Sequence, residues 1–209
     1  MTAMILAAGR GERMRPLTDN TPKPLLKVKD KSLIIWHIEK LASSGFTTII
    51  INIAHLGEQI IESLGDGTQW GIKIIYSDER VSGALETAGA IVKALPTLSE
   101  IFLVVNADIW CDYDFNSDFN LDNSSAHLIL VPNPEHNLKG DFLYEGEHYT
   151  FSGIGYYSKK VFENLSLEKR PLAPILKELI AQDKTSFELH DGVWSDIGTR
   201  ERLALVNTL

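Results

Sequence analysis

Short apolar segments alternate with longer amphipathic segments through the first two thirds of the chain. The apolar segments are rich in branched residues and are bounded by Gly, Asp or Asn, a pattern typical of buried strands. The segments between them repeat apolar residues with helical spacing, and two of them stop at Gly45 and Pro96. The predicted strands are Met4–Ala8, Ile49–Ile53, Ile72–Tyr76, Ile101–Val105 and Leu128–Val131, and the predicted helices are Leu33–Ser43, Gly57–Leu64 and Glu86–Leu95.

This alternation predicts an α/β fold that is Rossmann-like and doubly wound, with a mainly parallel mixed sheet and helices on both faces. Ligands of such a fold bind at the carboxyl ends of the strands. The length fits one globular domain over residues 1–209. Beyond about residue 138 strands and helices no longer alternate regularly. The pattern there predicts strands at His148–Tyr157 and Thr185–His190 and helices at Ala173–Gln182 and Arg200–Val206. Thr199 is the predicted N-cap of the last helix.

Charge and cysteine content limit the partners of the protein. The net charge of −8 excludes a general electrostatic role on nucleic acid or anionic membrane. Cys111 is the only cysteine, which excludes an internal disulfide framework and favours a small buried residue. The apolar run Ala3–Ala8 is too short for a signal sequence or a membrane span. We therefore expect a cytoplasmic protein, a monomer or small homo-oligomer, with small-molecule ligands.

The segment after the first predicted strand has the composition of a phosphate site. Gly9 and Gly11 let backbone N–H groups close around an anion. Residues 10–31 contain seven basic residues against three acidic ones, within an acidic chain. Met14 stands where a dinucleotide fingerprint needs glycine or alanine, which disfavours a Rossmann-type NAD enzyme, and the chain contains no P-loop motif. Lys23 differs from the other lysines because prolines on both sides restrict its backbone.

This segment also carries a family resemblance. The pattern L-A-A-G-x-G-x-R-M-x-P-L-T at Leu6–Thr18, followed by P-K-P-L at Pro22–Leu25, resembles the signature of the sugar-1-phosphate nucleotidylyltransferases. The resemblance implies a nucleotide-diphospho-sugar transferase fold and two catalytic residues. Arg13 would hold the β- and γ-phosphates that leave as pyrophosphate, and Lys23 would contact the α-phosphate under attack.

Two aspartates are candidate ligands of Mg²⁺. Asp108 follows a predicted central strand, and Asp196 lies just before the last predicted helix. Taken alone, Asp108 could close a turn and Asp196 could cap the helix; the resemblance implies that both share the metal. Ala107 stands where the family usually has glycine, which matters only if φ is positive there. We interpret the nearby Asp112 and Asp114 as loop residues.

The resemblance also implies where the base and the sugar bind. The family places its base-recognition loop at Glu79–Gly89 and its sugar-binding elements at Gly140–Phe142 and Thr150–Ile154. The residues implied at the nucleotide are Ala7, Ala8, Gly9, Gly11, Arg13, Lys23, Glu79, Leu85 and Thr87, and those implied at the sugar are Asn106, Asp141, Ser152 and Gly153.

Within this family, the pattern is most similar to members that use UTP and N-acetylmuramate 1-phosphate in peptidoglycan recycling. Mannose-1-phosphate guanylyltransferases share the L-x-T-A-G loop and remain an alternative, as do glucose-1-phosphate nucleotidylyltransferases. An inactive regulatory module that binds sugar nucleotides is a different class of alternative, and it predicts loss of Arg13, Lys23, Asp108 or Asp196. All four residues are present.

Overall fold

A computed structural model describes residues 1–81 and 83–208. The strands are β1 Thr2–Leu6, β2 Lys27–Val28, β3 Lys31–Ser32, β4 Thr48–Ile53, β5 Lys73–Asp78, β6 Ile101–Asn106, β7 Ile109–Cys111, β8 Ala126–Val131, β9 Phe142–Tyr144, β10 Glu147–Ser158, β11 Thr185–Leu189 and β12 Trp194–Asp196. The helices are α1 Leu33–Ser43, α2 Gly57–Leu64, α3 Glu86–Ala94, α4 Ala173–Ala181 and α5 Arg200–Val206.

The central sheet is mixed and mainly parallel. Its strand order is β11-β8-β10-β6-β1-β4-β5, with β9 paired to β10. The neighbours β6, β1, β4 and β5 are parallel, whereas β10 runs antiparallel to β6, β8 and β9. The predicted doubly wound α/β class is confirmed, and two antiparallel strand pairs, β2-β3 and β7-β12, lie outside the main sheet.

Most predicted elements occur close to their predicted bounds. The helices α1, α2 and α5 have the predicted ends, and the Thr199 side chain accepts a hydrogen bond from the Arg202 backbone N–H as the cap of α5. The prediction for the first strand was wrong by two residues, because β1 ends at Leu6. Ala7 instead donates its backbone N–H to the Asn52 side chain, 2.7 Å away, which turns the chain out of the sheet.

The two faces of the sheet are covered by separate apolar clusters. Alternation along β4 sends Ile49 and Ile51 to the face covered by α1 and α2, and Ile50 to the face covered by α3 and α4. A third cluster contains the fully buried Met14 together with Ile197, near the start of α5. Burial of a methionine side chain contributes roughly 1.5–3 kcal/mol. The third cluster therefore fixes the loop after β1 against the C-terminal part of the chain.

Two further observations bear on the sequence-based expectations. Cys111 lies in β7 and is partly rather than fully buried; burial raises the pKa of its thiol, which disfavours the reactive thiolate. Among the described residues, no helix has the length and apolar character that a membrane crossing requires.

Candidate active site

The carboxyl ends of β1, β4 and β6 open onto a cleft. Leu6, the last residue of β1, pairs with Asn52 on β4 and with Asn106 on β6. A first chamber of about 620 Å³ is lined by the loop after β1, and a second chamber of about 730 Å³ extends toward β10 and α4. Both chambers are lined by Leu6, Glu86, Thr87 and Asn106, so they form one continuous cleft. Its position is the one expected for a doubly wound sheet.

The two glycines of the loop have different structural roles. Gly11 has φ +64°, and a Cβ there would lie 3.0 Å from Thr18 Cγ2 and 3.1 Å from Lys23 Cβ. The Thr18 hydroxyl donates to the Gly11 carbonyl, which closes the turn. Gly9 lines the first chamber with a φ outside the left-handed region, and a Cβ there would have no atom within 4 Å. Gly11 is therefore required by the fold of the loop, whereas Gly9 leaves space in the cleft.

Lys23 is held rigidly, whereas Arg13 is exposed. Lys23 begins a short 3-10 turn after Pro22 and is only 8% exposed. Its Nζ donates to Asp108 Oδ2 over 2.5 Å at the edge of the first chamber. Arg13 lines the same chamber from a 3-10 turn and makes no hydrogen bond or ion pair with any residue that the structure describes. Arg10 and Lys169 also line this chamber, so four basic side chains that the structure describes reach it, and Lys23 is the one that Asp108 holds in place.

The short pair β7-β12 brings the two candidate metal ligands together. Asp196 pairs in register with Ile109, and the Ile197 backbone N–H donates to the Asp108 carbonyl over 2.6 Å. Asp108 lines the first chamber with its side chain 38% exposed. Ala107 is not among the described residues with positive φ, so its methyl group causes no backbone strain. Asp112 lies in a loop and contacts His190, away from the cleft.

The aspartate pair has the chemistry of a divalent metal site. Asp196 Oδ1 is buried without a hydrogen bond among the described residues, although His136 Nε2 lies 3.0 Å away, and Asp196 Oδ2 lies 2.9 Å from the Arg202 guanidinium. Arg202 therefore already neutralises part of this carboxylate charge, and a metal ion at Asp196 would share the carboxylate with Arg202. No cluster of three or more His, Cys, Asp or Glu side chains suited to a metal occurs in residues 1–81 and 83–208. Mg²⁺ commonly takes one or two carboxylates and completes its shell with water and substrate phosphates, so the two aspartates fit such an ion.

The loop between β5 and α3 is fixed by a buried carboxylate. Glu79 is fully buried; its Oε1 accepts from Asn52 Nδ2 and its Oε2 accepts from the Leu85 backbone N–H, each over 2.8 Å. Since the Asn52 side chain also accepts from the Ala7 backbone N–H, it connects the loop after β1 to the loop between β5 and α3. Sequence reasoning missed Asn52, although an amide side chain within the apolar run Ile49–Ile53 is a recognisable signal. Ser82, also in this loop, lies outside the described residues.

The first turn of α3 packs closely against the backbone of residues 168–170. Arg170 accepts hydrogen bonds from the backbone N–H groups of Ala88 and Gly89 through its carbonyl oxygen. A side chain at Gly89 would collide with the Glu168 carbonyl, which explains the glycine of the L-x-T-A-G loop. Glu86 has φ +58°, a strained conformation for a residue with a side chain, and it lines both chambers.

The predicted sugar-binding residues divide into two groups. Asn106 and Gly153 lie together in the second chamber, since a Cβ on Gly153 would lie 2.6 Å from Asn106 Nδ2. Asp141 also lines this chamber, and its Oδ2 accepts from the Phe151 backbone N–H.

Ser152 differs from the prediction. It is 1% exposed, its hydroxyl donates to the Ile129 carbonyl, and it does not line the second chamber. The serine side chain fills the irregularity in β10 between Phe151 and Ile154 and is not available to a sugar in this structure.

Comparison with known proteins agrees with this geometry. Residues 2–139 match the nucleotidyl transferase family. The N-acetylmuramate alpha-1-phosphate uridylyltransferase of Neisseria meningitidis serogroup B (strain ATCC BAA-335 / MC58) is 49% identical, with 97% of this chain and 95% of that protein aligned. The mannose-1-phosphate guanyltransferase beta-B of Xenopus laevis is 29% identical; the alignment covers 95% of this chain and 61% of that protein.

A solved structure is similar over the whole chain. It is a crystal structure, in complex with a sucrose, of a Bacillus anthracis protein provisionally assigned as a glucose-1-phosphate thymidylyltransferase. The TM-score is 0.86 at 22% identity, covering 100% of this chain and 94% of that one, which establishes the shared fold. Together with the match of residues 2–139 and the 49% identical relative, the chain belongs to the nucleotidyl transferase family, as the signature at Leu6–Leu25 predicts.

Proposed function

We propose that this chain is a uridylyltransferase that converts UTP and N-acetylmuramate 1-phosphate into UDP-N-acetylmuramate and pyrophosphate. The observation that supports the transfer chemistry is the buried Lys23, whose ammonium group contacts Asp108 at the edge of the first chamber. The choice of UTP and of this sugar is supported by the Neisseria meningitidis relative, which aligns with nearly the whole chain. The proposal includes a single catalytic domain and a cytoplasmic role in cell-wall recycling.

The reaction is an in-line displacement at the α-phosphorus of UTP. A phosphate oxygen of the sugar 1-phosphate forms the new bond, the bond from the α-phosphorus to the bridging oxygen breaks, and pyrophosphate leaves. The attacking phosphate is already an anion, so no general base is needed. Lys23 stabilises the charge on the α-phosphate, and Arg13 holds the departing phosphates. Asp108 and Asp196 would hold Mg²⁺, which when bound neutralises phosphate charge.

The two chambers accommodate the two substrates in this proposal. The triphosphate occupies the first chamber, which is lined by Gly9 and Gly11 together with Arg13 and Lys23. The base lies against the loop that Glu79 fixes through Leu85. The sugar occupies the second chamber, with its phosphate directed toward Asp108 across the shared boundary between the chambers.

A substrate panel tests this proposal. Each of the four ribonucleoside triphosphates is combined with N-acetylmuramate, N-acetylglucosamine, mannose and glucose 1-phosphates, with MgCl₂ or with a chelator, and pyrophosphate release is measured. We expect the highest kcat/KM with UTP and N-acetylmuramate 1-phosphate, a product with the mass of UDP-N-acetylmuramate, and no turnover with the chelator. A preference for GTP with mannose 1-phosphate would instead support the activity of the Xenopus laevis relative. Full turnover in the chelator would contradict the metal assignment.

A further inference from the structure

The walls of the second chamber are mainly apolar and carry few charges. The charged residues that line it are Glu86, Asp141 and Lys177. Glu86 lies 3.4 Å from Lys169 Nζ, and Asp141 accepts a backbone hydrogen bond. Lys177, on α4, makes no hydrogen bond or ion pair with any of residues 1–81 and 83–208, and its side chain is exposed. The second chamber therefore presents a single lysine that no described residue neutralises.

We propose that the second chamber selects a sugar 1-phosphate that bears a carboxylate, and that Lys177 Nζ is the group that recognises this carboxylate. This inference deepens the proposed function, on which it rests. N-acetylmuramate differs from N-acetylglucosamine by a lactyl ether that ends in a carboxylate, so a lysine beside the sugar attracts the first and gains nothing from the second.

The position of Lys177 separates this role from phosphate binding. Arg13 and Lys23 line the first chamber, and neither lines the second. Lys177 shares its helix with Ala173 and Leu176, which line the chamber beside it. The apolar walls thus contact the sugar ring and methyl groups, whereas the lysine at the helix surface reaches the charged substituent.

Lys177→Met tests the selectivity while keeping an apolar stem of similar length. Uridylyl transfer is measured with N-acetylmuramate 1-phosphate and with N-acetylglucosamine 1-phosphate. We expect kcat/KM for the acidic sugar to fall about tenfold, mainly through KM, because a charge-assisted contact near solvent is lost. The value for the neutral sugar should stay unchanged. Lys184→Met removes the same charge from an exposed lysine that lines neither chamber, and it should alter neither value.

The outcomes separate the two proposals. Absence of transfer to N-acetylmuramate 1-phosphate by the unsubstituted protein contradicts the proposed function itself. An active protein whose Lys177→Met variant keeps its sugar preference, or loses both activities equally, overturns only the role of Lys177.

Discussion

Gly9 and Gly11 lie two residues apart in one loop, yet an added methyl group should have opposite consequences at the two positions. In Gly11→Ala, the new Cβ lies 3.0 Å from Thr18 Cγ2 and 3.1 Å from Lys23 Cβ, on a backbone with φ +64°. In Gly9→Ala, the new Cβ meets no atom within 4 Å and needs no left-handed backbone. We expect Gly11→Ala to lose stability and Gly9→Ala to lose activity.

The magnitudes follow from these contacts. A left-handed alanine costs about 1–2 kcal/mol, and packing a methyl group against Thr18 and Lys23 costs about 1–3 kcal/mol more. Lower entropy of the unfolded chain offsets about 0.4–1 kcal/mol. Gly11→Ala should therefore lose roughly 3 kcal/mol, the middle of a range of about 1–5 kcal/mol, or roughly 6–12 °C in melting temperature for a chain of this size. Gly9→Ala should leave the stability unchanged or raise it slightly, because its only effect on stability is to lower the entropy of the unfolded chain.

The activity of Gly9→Ala should fall for a geometric reason. Gly9 lines the first chamber, where the proposed triphosphate must approach the backbone closely. A methyl group there displaces the phosphates by about an ångström, which can lower kcat/KM on the order of 10²-fold. Thermal unfolding and pyrophosphate release measured on both variants test the pair. A Gly9→Ala protein that unfolds as early as Gly11→Ala, or that keeps normal kcat/KM, would refute the division of roles.

Two further perturbations test the catalytic lysine and a buried histidine. Lys23→Met keeps the buried stem and removes the ammonium group that contacts Asp108, so kcat should fall about 10²–10³-fold in the pyrophosphate assay; near-normal turnover by a folded variant would exclude Lys23 from the mechanism. Burial lowers the pKa of His37 to about 4, against opposing contributions from its hydrogen bond to the Ile109 carbonyl and from Asp108. Below pH 6.5 the folded state therefore binds fewer protons than the unfolded state. The free energy of unfolding keeps its full value above pH 6.5 and falls by about 3 kcal/mol as the pH drops to 4. His37→Gln should lack this component in chelator-treated urea titrations, and equal pH slopes in both proteins would contradict the assignment.

The local elements were predictable because their signals are local. The apolar spacing in α1 and α2 gives the correct bounds, since a helix buries one face at every turn. The loop after β1 is also a local feature, because Gly11 lies against both Thr18 and Lys23 within a short segment. Contiguous sequence therefore carried both the fold class and the candidate phosphate chemistry.

The pairing of distant segments could not be predicted in the same way. β7 and β12 have three residues each, too few for a period to appear, yet their register brings Asp196 beside Asp108. Ser152 was predicted at the sugar from the resemblance, but the register shift in β10 buries it. A glycine after a serine within a long strand is compatible with a bulge or with a ligand contact, and only the neighbouring strand distinguishes the two.

This contrast explains why the chain's signature identifies its chemistry more firmly than its sugar. In the first chamber, one continuous segment, residues 6–13 with Lys23 and Pro24, supplies about half of the lining residues, and the buried Met14 anchors this segment. The second chamber is assembled from β6, the β9-β10 hairpin, α3 and α4, each of which contributes between two and four lining residues. Single replacements at positions such as Lys177, on a helix surface, can change selectivity without disturbing the sheet. Substrate choice in this fold should therefore vary through α4 and β10 while the loop after β1 stays constrained.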